Sequence, residues 1–246
     1  MDLRTDDPLA PGHVVPSRRG LRAGAWAAVP VLLAVGPFGF IFGAFATEAG
    51  LDPLQTMAMT AIVTAGAAQL AALQLLVDDA PALVAVLTGA VVNLRMAMYS
   101  ASIAVHWRGV PMLWRVPAAY FLQDQSYTLS LRRYRERPDE PLSDRIGFYF
   151  GTGSITVVTW ICGSWLGVVA GRMMPPEWGL GFAVPVTFLA LVAPLIRGRA
   201  NIAAAVVAGL AALGLHGLPY GLGLLLAAAL GIAAGMAAPR LARRRA

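Results

Sequence analysis

Two charged residues, Arg95 and Asp124, lie deep within long apolar segments and are the strongest candidates for chemistry in this sequence. Charges inside a membrane-spanning segment are costly and commonly mark a substrate or proton pathway. Arg95 lies about halfway along its apolar segment, so its side chain cannot easily extend to either membrane surface. It therefore needs either a charged partner or a water-filled cavity.

Asp124 lies between two amides, Gln123 and Gln125, near the middle of another apolar segment. This group is too polar to face lipid. One interpretation is a structural ion pair with Arg95. The other is a carboxylate that takes up a proton or binds a cation, and both roles can coexist.

Further polar side chains accompany these two charges. Asn93 and Tyr99 flank Arg95, and Tyr127 follows Asp124 by three residues. Gln69 lies among small residues in another apolar segment, where its amide can both donate and accept hydrogen bonds. Gln69 is open to two interpretations, a bond between helices or a substrate ligand.

The first apolar segment contains Pro37 among glycines, with Phe38 and Phe40 beside it. Proline removes a backbone donor, and glycine permits sharp bends. One interpretation is a helix broken at Pro37 that lines a substrate cavity. The alternative is a continuous but kinked packing helix.

The segments that carry these residues predict an all-α integral membrane protein, a polytopic bundle of seven or eight helices with some broken or kinked. The chain is 58% hydrophobic and only 13% charged, against roughly 25% charged residues in soluble domains. Segments of about 20 apolar residues can cross a bilayer. The expected spans are 23–47, 54–77, 82–105, 112–131, 146–171, 178–196, 201–215 and 220–238.

Three sets of glycines spaced four apart predict surfaces where helices pack closely. These sets are Gly39 with Gly43, Gly163 with Gly167 and Gly171, and Gly231 with Gly235.

The arginines predict the orientation, since cytoplasmic loops are enriched in basic residues. With eight spans and both termini in the cytoplasm, fifteen arginines face inward and three, Arg108, Arg115 and Arg172, face outward. The 132–145 loop is then cytoplasmic and the 48–53 loop external. Residues 1–22 are expected to form a disordered cytoplasmic tail, 23–238 the transmembrane domain, and 239–246 a basic cytoplasmic tail.

Several classes of function lack their sequence signals. There is no phosphate-binding loop, and the three histidines have no metal-ligand spacing. We therefore expect no enzyme activity, no cofactor and no metal. The basic residues lie at membrane edges, which argues against nucleic-acid binding.

The motifs together resemble the large subunit of the bacterial branched-chain amino acid exporter, the AzlC or YgaZ type. The similarity runs from about residue 20 to 240, and its most specific elements are 65–69 and 93–95. Weaker matches are 38–50, 99–100, 124–127 and 188–194. The sequence departs from the family pattern at Met96, where a histidine is common, and at Gln125, where an acid is usual.

The resemblance implies a permease of the bacterial inner membrane that exports branched-chain and related apolar amino acids. It also implies a small hydrophobic partner of about four helices, the AzlD or YgaH type. Combined with the residues, it suggests a hypothesis in which Arg95 binds the substrate carboxylate and Asp124 binds the ammonium group or the coupling proton. Gln69 and Asn93 would orient the substrate, and Phe38 and Phe40 would shape an apolar pocket. Two alternatives remain: a passive pore for small zwitterions, or a scaffold for a transporting partner.

Overall fold

The computed structural model describes residues 14–173, 189, 196, 198–218 and 222–243, and these residues form helices without any strand. This confirms the predicted all-α fold. The helices are α1 Arg18–Glu48, α2 Pro53–Ile62, α3 Gly66–Val77, α4 Ala82–Ala104, α5 Met112–Tyr120, α6 Asp124–Glu136, α7 Leu142–Gly171, α8 Arg199–Gly214 and α9 Leu222–Arg243. A short 3₁₀ turn, Val105–Trp107, extends α4.

Three helices are long and apolar enough to cross a membrane: α1, α4 with its 3₁₀ turn, and α7. Shorter apolar helices, α3, α8 and residues Leu222–Ala238 of α9, accompany them. Seven of the eight expected spans thus contain helix. The sixth expected span, 178–196, and the 188–194 motif lie almost entirely outside the described residues.

The chain divides into two compact units. One unit comprises residues 1–66 and 92–174, and the other comprises 67–91 and 175–246. The residues of the first unit include both deep charges, Arg95 and Asp124.

Close packing of α1 along α7 organises the first unit. Gly39 and Gly43 of α1 lie against the backbone of Trp160 and Ser164 of α7, where an added Cβ atom would collide. Gly167 of α7 likewise leaves no room for a Cβ atom beside the backbone of α1. The glycine sets are therefore packing faces, as predicted, and the first two of them face each other.

The second unit contains a matching contact between α8 and α9. Gly231 lies against Ala208, and Gly235 lies against Ala204. The third glycine set is thus also a packing face, filled from within the chain.

Helix α1 continues through Pro30 and Pro37 without interruption. Of the two interpretations of Pro37, the structure excludes the broken helix and supports a continuous packing helix. Proline removes one helical hydrogen bond, but the contact with α7 fixes the helix on both sides of it. The helix also begins at Arg18, capped by the Ser17 hydroxyl, rather than at residue 23.

The second and fourth expected spans are the broken ones. Residues 63–65 separate α2 from α3, and residues 121–123 separate α5 from α6. Neither break contains a proline. Each is instead held by side chains that bond to the backbone, as described below.

Candidate functional site

Arg95 and Asp124 form an ion pair, with 3.0 Å between Arg95 Nη1 and Asp124 Oδ2. Arg95 lies on α4, and Asp124 is the first residue of α6, after the second break. A carboxylate is stabilised at the N-terminus of a helix by the backbone dipoles. Because α6 begins after the break, Asp124 lies at a helix N-terminus, and it also pairs with Arg95.

Tyr99 and Tyr127 complete this site. The Tyr99 hydroxyl donates to Asp124 Oδ1 at 2.9 Å, and its ring stacks on Tyr127 with centroids 4.1 Å apart. The Tyr127 hydroxyl and the Ser102 hydroxyl are 3.2 Å apart. These contacts follow from helical spacing, since Arg95, Tyr99 and Ser102 share one face of α4. Each carboxylate oxygen of Asp124 therefore has its own partner.

The ion pair is partly open. The side chains of Arg95 and Asp124 are 30% and 40% exposed, whereas Arg95 Nε and Asn93 Oδ1 are buried. Neither of these two atoms has a hydrogen-bond partner among the described residues. The site thus combines two partly exposed charges with one buried donor of Arg95 that has no partner among the described residues.

The break before Asp124 is held by hydrogen bonds to the last carbonyl groups of α5. The Tyr149 hydroxyl donates to the Ala118 carbonyl at 2.8 Å. The Thr64 hydroxyl donates to the Tyr120 carbonyl at 3.1 Å, and the Ser126 hydroxyl donates to the Phe121 carbonyl at 2.7 Å. Carbonyl groups freed at mid-membrane need such donors, because no lipid group can supply them.

Phe38 and Phe40 do not lie together. Phe38 packs against Trp160 of α7, with ring centroids 5.6 Å apart, and Phe42 packs on the same indole at 5.8 Å. The backbone of Phe40 instead lies against Gly167. Phe38, Phe42 and Trp160 therefore form an aromatic cluster, and the role of Phe38 and Phe40 in a substrate pocket stays a prediction.

Gln69 is fully buried within α3, in the second unit. The other seven predicted site residues belong to the first unit. The structure thus brings together Arg95, Asp124, Tyr99 and Tyr127, and places Asn93 on the same helix as Arg95. The roles predicted for these residues stay predictions.

An apolar pocket of about 110 Å³ lies between α4, α5 and α7. Its lining includes Ile103, Trp107, Leu122 and Tyr149. Ile103 lies eight residues beyond Arg95 on α4, about 12 Å along the helix axis. Two other lining residues are closer in sequence to the ion pair, since Ser100 lies five residues after Arg95 and Leu122 two residues before Asp124.

Tyr134 anchors the far end of α6 outside the expected spans. Its hydroxyl donates to the Arg145 carbonyl at 2.9 Å and accepts from Trp107 Nε1 at 3.2 Å. Burial raises the pKa of Tyr134 to about 12, so it remains a neutral donor at physiological pH. Nearby, Arg133 pairs with Glu140 and covers the Phe148 ring, which fixes the 132–145 loop.

The residues that shape the breaks and that sequence reasoning missed include Tyr120, Ser126 and Gly153. The Tyr120 hydroxyl donates to the Ala61 carbonyl of α2 at 2.9 Å. Gly153 of α7 leaves room for Phe121, whose Cβ atom would lie 2.8 Å from an added Cβ. The serine had a local signal, because its spacing from Gln123 suits a helix cap. Tyr120 and Gly153 had none.

Comparison with known proteins places these features in a family. The family model described as AzlC protein matches residues 30–174, more than half of the chain. An uncharacterized membrane protein of Archaeoglobus fulgidus is 27% identical over 208 residues, which cover 83% of this chain and 88% of the relative. The inner membrane protein YgaZ of Escherichia coli is 26% identical over 206 residues, 78% of this chain and 80% of that protein.

A third relative, an uncharacterized membrane protein of Helicobacter pylori, is 28% identical over 165 residues. These residues cover 66% of this chain and 70% of the relative. No solved structure shows significant similarity to the chain. The family match spans both breaks and both deep charges, and the chain belongs to the AzlC family of membrane proteins.

Proposed function

We propose that this chain is the large subunit of a proton-driven exporter of branched-chain and related apolar amino acids. The observation that carries the proposal is the partly exposed pair of Arg95 and Asp124, positioned by a helix break. Membership of a transporter family, rather than of an enzyme family, supports it. The resemblance to branched-chain amino acid exporters supplies the substrate class.

A zwitterion fits this pair by exchange of partners. Its carboxylate would bind the Arg95 guanidinium while its ammonium group binds Asp124, so that no charge is left unpaired. The Tyr99 hydroxyl would keep one oxygen of Asp124 in place while the other binds the ammonium group. Protonation of Asp124 would instead release Arg95, which offers a route to proton coupling.

The apolar side chain of the substrate has its best match in the aromatic cluster of Phe38, Phe42 and Trp160. Trp160 Nε1 is buried and has no hydrogen-bond partner among the described residues. The cluster borders Gly66 at the end of the first break, where an added Cβ atom would collide with Trp160. We propose this cluster as the part of the site that favours apolar amino acids.

A small AzlD-type subunit is proposed on the family resemblance. The glycine faces offer no support for it, because α7 and α9 fill theirs within the chain. We also propose location in the bacterial inner membrane with both termini in the cytoplasm. The arginine distribution and the inner-membrane location stated for YgaZ support this arrangement.

Efflux of radiolabelled L-leucine from preloaded cells tests the proposal. Cells would express this chain alone, the small subunit alone, or both, and the proton gradient would be collapsed in parallel. We expect saturable efflux that requires both subunits and the gradient. Non-saturable flux that ignores the gradient would indicate a pore.

A second arm distinguishes a carrier from a scaffold. Arg95→Gln should abolish efflux, a loss larger than any decrease in the amount of chain in the membrane. A scaffold role predicts instead that efflux falls only in proportion to the amount of chain.

A further inference from the structure

The two helix breaks are joined by a reciprocal pair of hydrogen bonds. Tyr120 ends α5, and its hydroxyl donates to the Ala61 carbonyl at the end of α2 at 2.9 Å. Thr64 lies in the break after α2, and its hydroxyl donates to the Tyr120 carbonyl at 3.1 Å. Each break thus supplies a donor to the other.

The two carbonyls concerned are ones that the breaks deprive of helical partners. In a continuous helix, the Ala61 carbonyl would accept from the amide of residue 65, and the Tyr120 carbonyl from the amide of Asp124. The amide of residue 65 lies within the first break, and that of Asp124 directly follows the second. A carbonyl group without a hydrogen-bond donor is energetically costly in hydrocarbon. Each break therefore depends on the donor from the other.

We infer that Thr64 and Tyr120 are positioning residues that couple the two breaks, so that both open and close as one unit. Asp124 directly follows the second break, so a change at its ion pair reaches the first break through these two bonds. This inference can be tested by hydrogen exchange, which does not rest on the proposed function, and by amino acid efflux, which does.

Tyr149 provides a matched control. Its hydroxyl also caps a carbonyl of α5, that of Ala118, but it extends from α7 and does not touch the first break. Loss of this hydroxyl removes a cap of the same kind without separating the two breaks.

Hydrogen exchange of the purified chain in detergent tests the coupling without any substrate. Tyr120→Phe and Thr64→Val each remove one hydroxyl with little change of shape. We expect each to accelerate exchange about fivefold, the factor for about 1 kcal/mol from one hydrogen bond, in peptides covering both 61–66 and 120–125. Tyr149→Phe should accelerate only the second peptide, and Thr64→Ser should match the wild type.

The inference is overturned if Thr64→Val affects only 120–125, or if Tyr120→Phe affects only 61–66. The inference predicts faster exchange in both peptides for each variant. Either variant therefore decides the question if the other fails to fold. Thr64→Ala replaces Thr64→Val if the bulkier side chain is not tolerated.

L-leucine efflux provides the second readout. Efflux by the double variant Thr64→Val/Tyr120→Phe should be no slower than efflux by the slower single variant. Its maximal rate should be lower than that of the wild type, with a KM unchanged within about twofold. The effects of Thr64→Val and Tyr149→Phe should instead multiply. If wild-type cells export no leucine, the proposed function fails, while the exchange result still decides the coupling.

Discussion

Asp124 has two partners within one site: the Arg95 guanidinium on one carboxylate oxygen and the Tyr99 hydroxyl on the other. This arrangement holds the carboxylate in place while 40% of its side chain stays exposed. The geometry is compatible with both roles predicted for Asp124, a structural ion pair and a carboxylate that takes up a proton or binds a cation.

The variant Asp124→Asn distinguishes proton uptake by the Asp124 carboxylate from its structural role. Asparagine keeps the size and accepts from Tyr99, but it cannot take up a proton. We expect folded protein in the membrane, retained amino acid exchange, and loss of proton-driven accumulation. Normal proton-driven accumulation by the variant would assign Asp124 a structural role.

The ion pair itself predicts a double-mutant result. Arg95→Ala or Asp124→Ala leaves one charge without its partner, and each should lower stability by about 1–3 kcal/mol. This is below the value for a sealed pair, because both side chains are partly exposed. The double variant should recover most of the loss in thermal unfolding of the detergent-purified chain. Additive losses would contradict a direct pairing.

At the scale of the helices, the close contacts and the breaks have different structural roles. Helix α7 provides a continuous support, with glycines where α1 crosses it and Gly153 where the second break rests. Helices α2 and α5 end in mid-segment and are capped by side chains. A rigid support beside two interrupted helices is the pattern expected where movement is confined to the breaks.

Gly167→Ala tests the contact of α1 with α7. The added methyl would collide with the backbone of α1 at Phe40, and backbone cannot move aside as a flexible side chain can. We expect a loss of about 1–3 kcal/mol, seen as a lower thermal unfolding temperature in detergent. Gly209→Ala is the matched control, because nothing lies within 4 Å of an added Cβ there. That variant should be neutral or stabilised by about 0.5–1 kcal/mol, and equal effects would refute the packing role.

At the scale of the whole molecule, the orientation rests on the arginines. Residues 132–145 hold five of them and comprise the end of α6, a short connection and the start of α7. The Arg133–Glu140 pair and the bond from Tyr134 to the Arg145 carbonyl fix this segment. A fixed basic loop is the arrangement that the positive-inside rule places in the cytoplasm.

Two exposed glutamates at helix ends form a matched pair of reporters. Glu48 ends α1 and Glu136 ends α6. After Cys162→Ala removes the native thiol, Glu48→Cys should react with an impermeant maleimide in intact cells, and Glu136→Cys should react only after lysis. The reverse pattern would invert the topology. Equal labelling of both in intact cells would overturn the eight-span arrangement.

The sequence by itself determined the class of fold and the residues that matter most. Apolar segment length is a local property, and so is the rarity of deep charges, so Arg95 and Asp124 were visible without a structure. Spacing along one helix likewise placed Tyr99 near Arg95, and the glycine intervals marked packing faces. These conclusions need only the helical period and the cost of burial.

Only the tertiary structure decided where the helices break and what each face meets. Pro37 was the strongest local signal for a break, yet α1 is continuous because α7 holds it. The true breaks have no proline, and their carbonyls are satisfied by Thr64 and Tyr120, which are 56 residues apart. A hydrogen bond over that separation leaves no periodic trace in the sequence, so its position follows from folding alone.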